Sequence, residues 1–208
     1  MRINDNITEL IDKTFQSMCD EYDNIFEKKF YPGKGNAGFH ETNLVQKFMF
    51  HYKQNVKESI VWSELSIGTK KEGNGRFDGI IIDPENDAII IIEAKRFNQK
   101  HKIESIVSDI NRGYEKYDTI HFEDGSLPTY RYILVLGDIW EEGSPTGPRR
   151  RWIERWIDNN PLTNFNGEVT IIDNNIPLKH QHRKTLLKKY LEVHYEYHLV
   201  YSLFYCKL

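Results

Sequence analysis

Two isoleucine-rich runs, GRFDGIIID and AIIIIEAKR, flank the four residues Pro84-Glu85-Asn86-Asp87. No other stretch constrains the fold as strongly. Consecutive β-branched side chains favour extended backbone. An apolar run without polar alternation suits a strand covered on both faces. Pro, Asn and Asp between the runs supply turn chemistry. The two runs are therefore expected to pair as an antiparallel hairpin at the centre of a sheet. A turn centred on Glu85-Asn86 sets Asp83 opposite Ala88 and Asp78 opposite Glu93. Directly opposed Cβ atoms lie about 4.5–5.5 Å apart and project from one face. Lys95 follows Glu93 by two positions and shares that face, with Arg76 as its opposite number.

The rest of the chain supplies helices and strands around this hairpin. Leu10, Ile11, Phe15, Met18, Tyr22, Ile25 and Phe26 recur at helical spacing, and Asn6 with Glu9 reads as a capping box. This predicts a helix over residues 6–29. The glycine-rich segment 31–38 lacks the Gly-Lys-Ser/Thr ending and preceding strand of a phosphate-binding loop, so it reads as a linker. Leu44, Val45, Phe48, Met49 and Tyr52 predict a second helix over residues 39–54. Glu41 joins its core-facing stripe if the helix already includes it; an Asn43–Gln46 capping pair would leave Glu41 just outside. Strands are expected over 59–67, 76–83 and 88–95. Ile103, Ile106, Val107, Ile110 and Tyr114 mark another amphipathic helix, and YRYILVL at 130–136 another buried strand. A loop at 141–148, a short helix at 149–159 and a strand at 168–172 follow. Residues 192–205 are compatible with strand or helix. The expected order is α-α-βββ-α-β-α-β-tail. It forms one domain over 1–208, with an N-terminal helix (1–30), a core (39–137) and a C-terminal extension (138–208).

Charge and cysteine content narrow the function classes. The formal net charge is −3, so nucleic-acid binding would need local basic patches. Such patches occur at Lys70-Lys71, at Lys100 with Lys102, at arginines 149–151 with Arg155, and across 179–189. The loop carrying Lys70 and Lys71 leads into the strand of Asp78. Cys19 and Cys206 form neither a disulfide framework nor a CxxC zinc site, which fits a reducing compartment. The opening residues lack the apolar run of a signal peptide, and the run at 88–92 is far too short to cross a bilayer. A cytoplasmic protein without membrane association is expected. His194 and His198 are four apart, but no glutamate follows the first, and His180 and His182 have no cysteine partners nearby. All four read as non-ligands.

Two carboxylates set opposite each other are destabilising unless a cation neutralises them. A divalent ion of the Mg²⁺ type, with Mn²⁺ as the alternative, takes one or two carboxylates plus water and phosphate oxygens. Lys95 could then position or deprotonate an attacking water, or stabilise phosphate charge. Glu41 could add a third carboxylate from the helix, and Glu64 in VWSEL is its rival from the first strand.

At these residues the sequence resembles the PD-(D/E)XK nuclease superfamily. Asp78 matches the first acidic residue, and Glu93-Ala94-Lys95 matches the (D/E)XK triplet. The resemblance implies an α/β, restriction-endonuclease-like core of order αβββαβ, a mixed central sheet flanked by helices. It also implies Asp78, Glu93, Glu41 and the Ala94 carbonyl as metal ligands, with Lys95 catalytic beside Asp78, Glu93 and Glu41. Phe77, not proline, precedes Asp78. Ile110 stands where a RecB-like branch carries glutamine, four residues before Tyr114. The implied activity is Mg²⁺-dependent phosphodiester hydrolysis, most naturally by a DNA endonuclease of restriction, repair or mobile-element type. Lys70, Lys71, Arg76 and Arg96 would contact nucleic acid, and a homodimer would serve double-strand cutting. A nuclease acting on RNA, and a non-catalytic nucleic-acid-binding or scaffold protein of the same fold, are the alternatives.

Overall fold

The computed structural model describes residues 4–27, 41–67, 75–96, 100–116, 119–121, 124–142, 169–185 and 192–206. In chain order these form α1 (Asp5–Glu27), α2 (Glu41–Asn55), β1 (Ile60–Ile67), β2 (Gly75–Asp83), β3 (Ala88–Arg96), α3 (Lys100–Lys116), β4 (Tyr130–Glu142), β5 (Val169–Thr185) and β6 (Glu192–Cys206). The strands make one six-stranded sheet of order β1-β2-β3-β4-β6-β5. β3 and β4 run parallel, joined through α3, and every other neighbouring pair is antiparallel. The fold is thus α/β with a mixed sheet.

The hairpin at its centre has the register its turn demands. Asp83 pairs with Ala88, Ile81 with Ile90 and Gly79 with Ile92. The Asp83 carboxylate fixes the turn by accepting the Asn86 backbone N–H at 3.1 Å and the Asn86 side-chain amide at 2.7 Å. Such Asx geometry mimics a backbone turn and holds its residues in place. Buried Tyr52 of α2 donates its hydroxyl to the same carboxylate at 2.6 Å, tying the helix to the turn. Asp87, with φ of 50°, accepts the Tyr130 N–H at 3.0 Å and so starts β4 beside β3.

Alternation along β3 splits its side chains between two cores. Ile90, Ile92 and Ala94 pack with α1 and α2, together with Phe15, Tyr22, Leu44 and Phe48. Ile89 and Ile91 face the other way, toward Ile106 and Ile110 of α3. Each such isoleucine, leucine or phenylalanine side chain contributes about 1.5–3 kcal/mol on full burial. By the same two-residue period, Glu93 and Lys95 project toward α3, while Arg96 lies on the α2 side.

The structure corrects the expected boundaries in several places. The N-terminal helix is capped by Asn4, not Asn6: the Asn4 side-chain oxygen accepts the Asn6 N–H at 3.1 Å. α2 starts at Glu41, so Glu41 belongs to the helix and the Asn43–Gln46 cap does not form. The tail is strand. β6 pairs with β4 from Tyr132 to Glu142, and β5 pairs with β6 over most of its length. Within the expected C-terminal extension, the end of β4 together with β5 and β6 therefore belongs to the central sheet. The linker at 31–38, the loop lysines Lys70 and Lys71, and the helix expected at 149–159 lie outside the described residues. Cys19 and Cys206 are both free and buried. Among the described residues no helix is long and apolar enough to cross a membrane.

Candidate active site

The candidate site forms where β2 and β3 part. Their backbone ladder ends at Gly79–Ile92. The next pair in register is Asp78 with Glu93, but Asp78 bonds through its side chain: Oδ2 accepts the Ala94 N–H at 2.8 Å. A carboxylate thus takes over a strand hydrogen bond one step beyond the ladder. The irregularity extends to β1. Pairing between β1 and β2 skips the position where Glu64 faces Asp78, and Glu64 has φ of 59°. A left-handed conformation at a residue with a side chain is uncommon and costs about 1–3 kcal/mol. Phe77 and Ile80 both pack on the α3 side, a spacing that strict alternation forbids.

Five charged side chains meet on this face. Glu93 is only 1% exposed, and its Oε1 accepts a hydrogen bond from Arg112 Nη2 at 2.8 Å. Lys95 Nζ stands 3.1 Å from Asp109, 3.8 Å from Asp78 and 4.0 Å from Glu93. Arg112 Nη1 pairs with Asp109 at 2.8 Å, one helical step away on α3. Arg112 also donates to the Arg76 carbonyl at 3.0 Å, and its guanidinium lies 5.8 Å from the Phe77 ring centroid.

With every group ionised, Asp78, Glu93 and Asp109 oppose only Lys95 and Arg112, leaving the cluster one positive charge short. Burial pushes the Glu93 carboxyl up to about 8; Asp78 and Asp109 add to the effect, and Arg112 and Lys95 oppose it. Burial alone would lower the Lys95 ammonium, but Asp109, Asp78 and Glu93 outweigh it and hold Lys95 above its ordinary value. The Arg112 guanidinium is likewise held up, with Glu93 and Asp109 overcoming its burial.

Among the expected site residues, Asp78, Glu93, Ala94 and Lys95 come together. Glu41 goes elsewhere. α2 packs on the opposite face of the sheet, and the Glu41 carboxylate accepts the Arg96 N–H at 2.8 Å, with Lys102 Nζ at 3.8 Å. Glu64 is exposed and pairs with Arg76 at 2.5 Å, so these two neutralise each other at the rim. The Arg96 guanidinium turns inward, donating to fully buried Asp138 at 2.8 Å and again through Nε at 3.1 Å. It serves the fold there.

Asp109 and Arg112 are the residues the sequence reading missed. A signal was present: Asp109 falls three residues after Ile106 and one before Ile110, inside the stripe that faces the sheet. A charged residue in such a stripe needs a charged partner on the opposing surface. Among the described residues no group of three or more acidic, histidine or cysteine side chains is arranged to hold a metal ion. Comparison with protein-family models, curated proteins and solved structures finds no match.

Proposed function

We propose that this chain is a metal-dependent nuclease with a restriction-endonuclease-like core, hydrolysing phosphodiesters, most naturally of DNA. The observation that carries this reading is the bond from Asp78 to the Ala94 N–H. It locks the first acidic residue onto the peptide between Glu93 and Lys95, so all three side chains act from one place. The order of α2, the β1–β2–β3 meander, α3 and parallel β4 supports the reading, because it is the αβββαβ order implied by the sequence resemblance.

The donor set fits Mg²⁺ or Mn²⁺ in chemistry. Asp78 and Glu93 offer carboxylate oxygens, and Mg²⁺ needs no more than one or two of these beside water and phosphate. At neutral pH a proton on Glu93 balances the cluster, and a divalent ion would take that proton's place. When bound, such an ion polarises the phosphodiester and acidifies a water. Asp78, Glu93 and the Ala94 carbonyl would hold it. Lys95 remains a cation under the hold of Asp109 and Asp78, so it orients the nucleophile or offsets charge on the phosphate, in preference to acting as a base. Glu41 supports the far end of β3 through the Arg96 N–H.

One test uses DNA and RNA substrates with Mg²⁺, Mn²⁺ or EDTA, comparing wild type with Asp78→Ala and Lys95→Ala. Metal-dependent cleavage of DNA that both substitutions abolish is expected. No cleavage of either polymer with any divalent ion would refute the catalytic reading. That result would favour a binding or scaffold protein whose ion network is structural. Cleavage of RNA alone would reassign the substrate.

A further inference from the structure

Arg112 already occupies a carboxylate oxygen that a divalent ion at this site would use. Its Nη2 donates to Glu93 Oε1 at 2.8 Å, and Glu93 is 1% exposed. A divalent ion would therefore have to compete with the guanidinium for that oxygen. We propose that Arg112 is a built-in counter-ion of the site, which competes with the divalent ion for Glu93 and must release it before metal can bind. This inference rests on the metal-dependent reading above and adds a residue to it.

Three features support a removable plug over a fixed strut. First, Arg112 is held almost wholly by the cluster itself. Its partners are Glu93, Asp109 on its own helix, and the Arg76 carbonyl. Its buried Nε has no hydrogen-bond partner among the described residues. A guanidinium held for structure alone normally uses its fork more fully. Second, its side chain is 30% exposed, so the core does not enclose it completely. Third, removing a positive charge from beside Glu93 while a divalent ion arrives keeps the buried carboxylate compensated throughout.

The groups facing Arg112 come from each adjoining element. They are the Arg76 carbonyl and the Phe77 ring on β2, Glu93 on β3, and Asp109 on α3. Lys95 stays with Asp109 and Asp78 when Arg112 leaves, so the site keeps one resident cation. Once released, the Arg112 head group is free beside the site. A guanidinium there suits a phosphate oxygen pair.

Isothermal titration of Mn²⁺ into the full chain tests the competition directly, with no reliance on cleavage. Wild type, Arg112→Gln and Arg112→Lys are compared, and Arg112→Gln/Glu93→Gln serves to locate the binding. Arg112→Gln is expected to bind Mn²⁺ at least about tenfold more tightly than wild type, because a neutral amide no longer competes. Arg112→Lys keeps the charge and is expected to stay close to wild type, and the double variant to lose the gain. Equal or weaker binding by Arg112→Gln, with wild type still binding, overturns the plug and leaves the metal site standing. No binding in any variant overturns the metal reading itself, and the plug with it. Should Arg112→Gln fail to fold, the Arg112 Nε–H resonance of ¹⁵N-labelled wild type decides. A shift on saturation with Mg²⁺ supports release, and an unmoved resonance with Mg²⁺ bound refutes it.

Discussion

Glu93 gives the clearest handle on the site, because burial and two acidic neighbours set its proton affinity far from that of the unfolded chain. Its carboxyl is raised from 4.5 to about 8 in the fold. Between those values the folded state holds a proton that the unfolded state has lost. Stability therefore falls as pH rises through this window, by up to about 1.4 kcal/mol per pH unit, which amounts to roughly 5 kcal/mol across it. The perturbation is Glu93→Gln, which resembles the protonated acid in shape and charge. Other titrating groups act alike in both proteins and cancel in the difference. Urea unfolding in EDTA from pH 5 to pH 9 is the assay. The two proteins should be nearly equal in stability at about pH 5. The variant should gain steadily on wild type above that and level off beyond about pH 8. A constant stability difference across the whole range would refute the reasoning, since it would mean that Glu93 titrates alike in the folded and unfolded states.

Other substitutions test the frame that holds the site. A Cβ at Gly79 would lie 2.6 Å from Val45 Cγ1 and 3.2 Å from Met49 Sδ, so Gly79→Ala should cost about 1–3 kcal/mol in urea unfolding. Val45→Ala in the same chain should recover part of that loss. Asp138→Ala removes the fully buried partner of the Arg96 guanidinium and should cost about 3–5 kcal/mol, read as a lowered thermal midpoint. Lys47→Ala removes a half-exposed partner of Glu21 and should cost under about 1 kcal/mol in the same measurement.

The hairpin was legible in the sequence because its determinants are local. The isoleucines at 80–82 and 89–92 demand extended, covered backbone, and Asp83 and Asn86 close the turn with their own side chains. Register then follows, and with it the approach of Asp78 to Glu93. The last strand, β6, was not legible for the opposite reason, and of β5 only its first residues were expected as strand. Leu199, Tyr201 and Leu203 face one core while Val200 and Phe204 face the other. A segment buried on both faces loses the alternation that separates strand from helix.

The opposed carboxylates beside Lys95 were thus set by the sequence itself, through a short turn and a strict two-residue period. Tertiary packing decided the rest of the site. α2 docks on the far face of the sheet, and Glu41 goes with it to the Arg96 N–H. α3 crosses above Glu93 and Lys95 and delivers Asp109 and Arg112. Spacing along a strand fixes which neighbours share a face. Which helix covers that face depends on burying two apolar stripes at once, and that is a property of the assembled core.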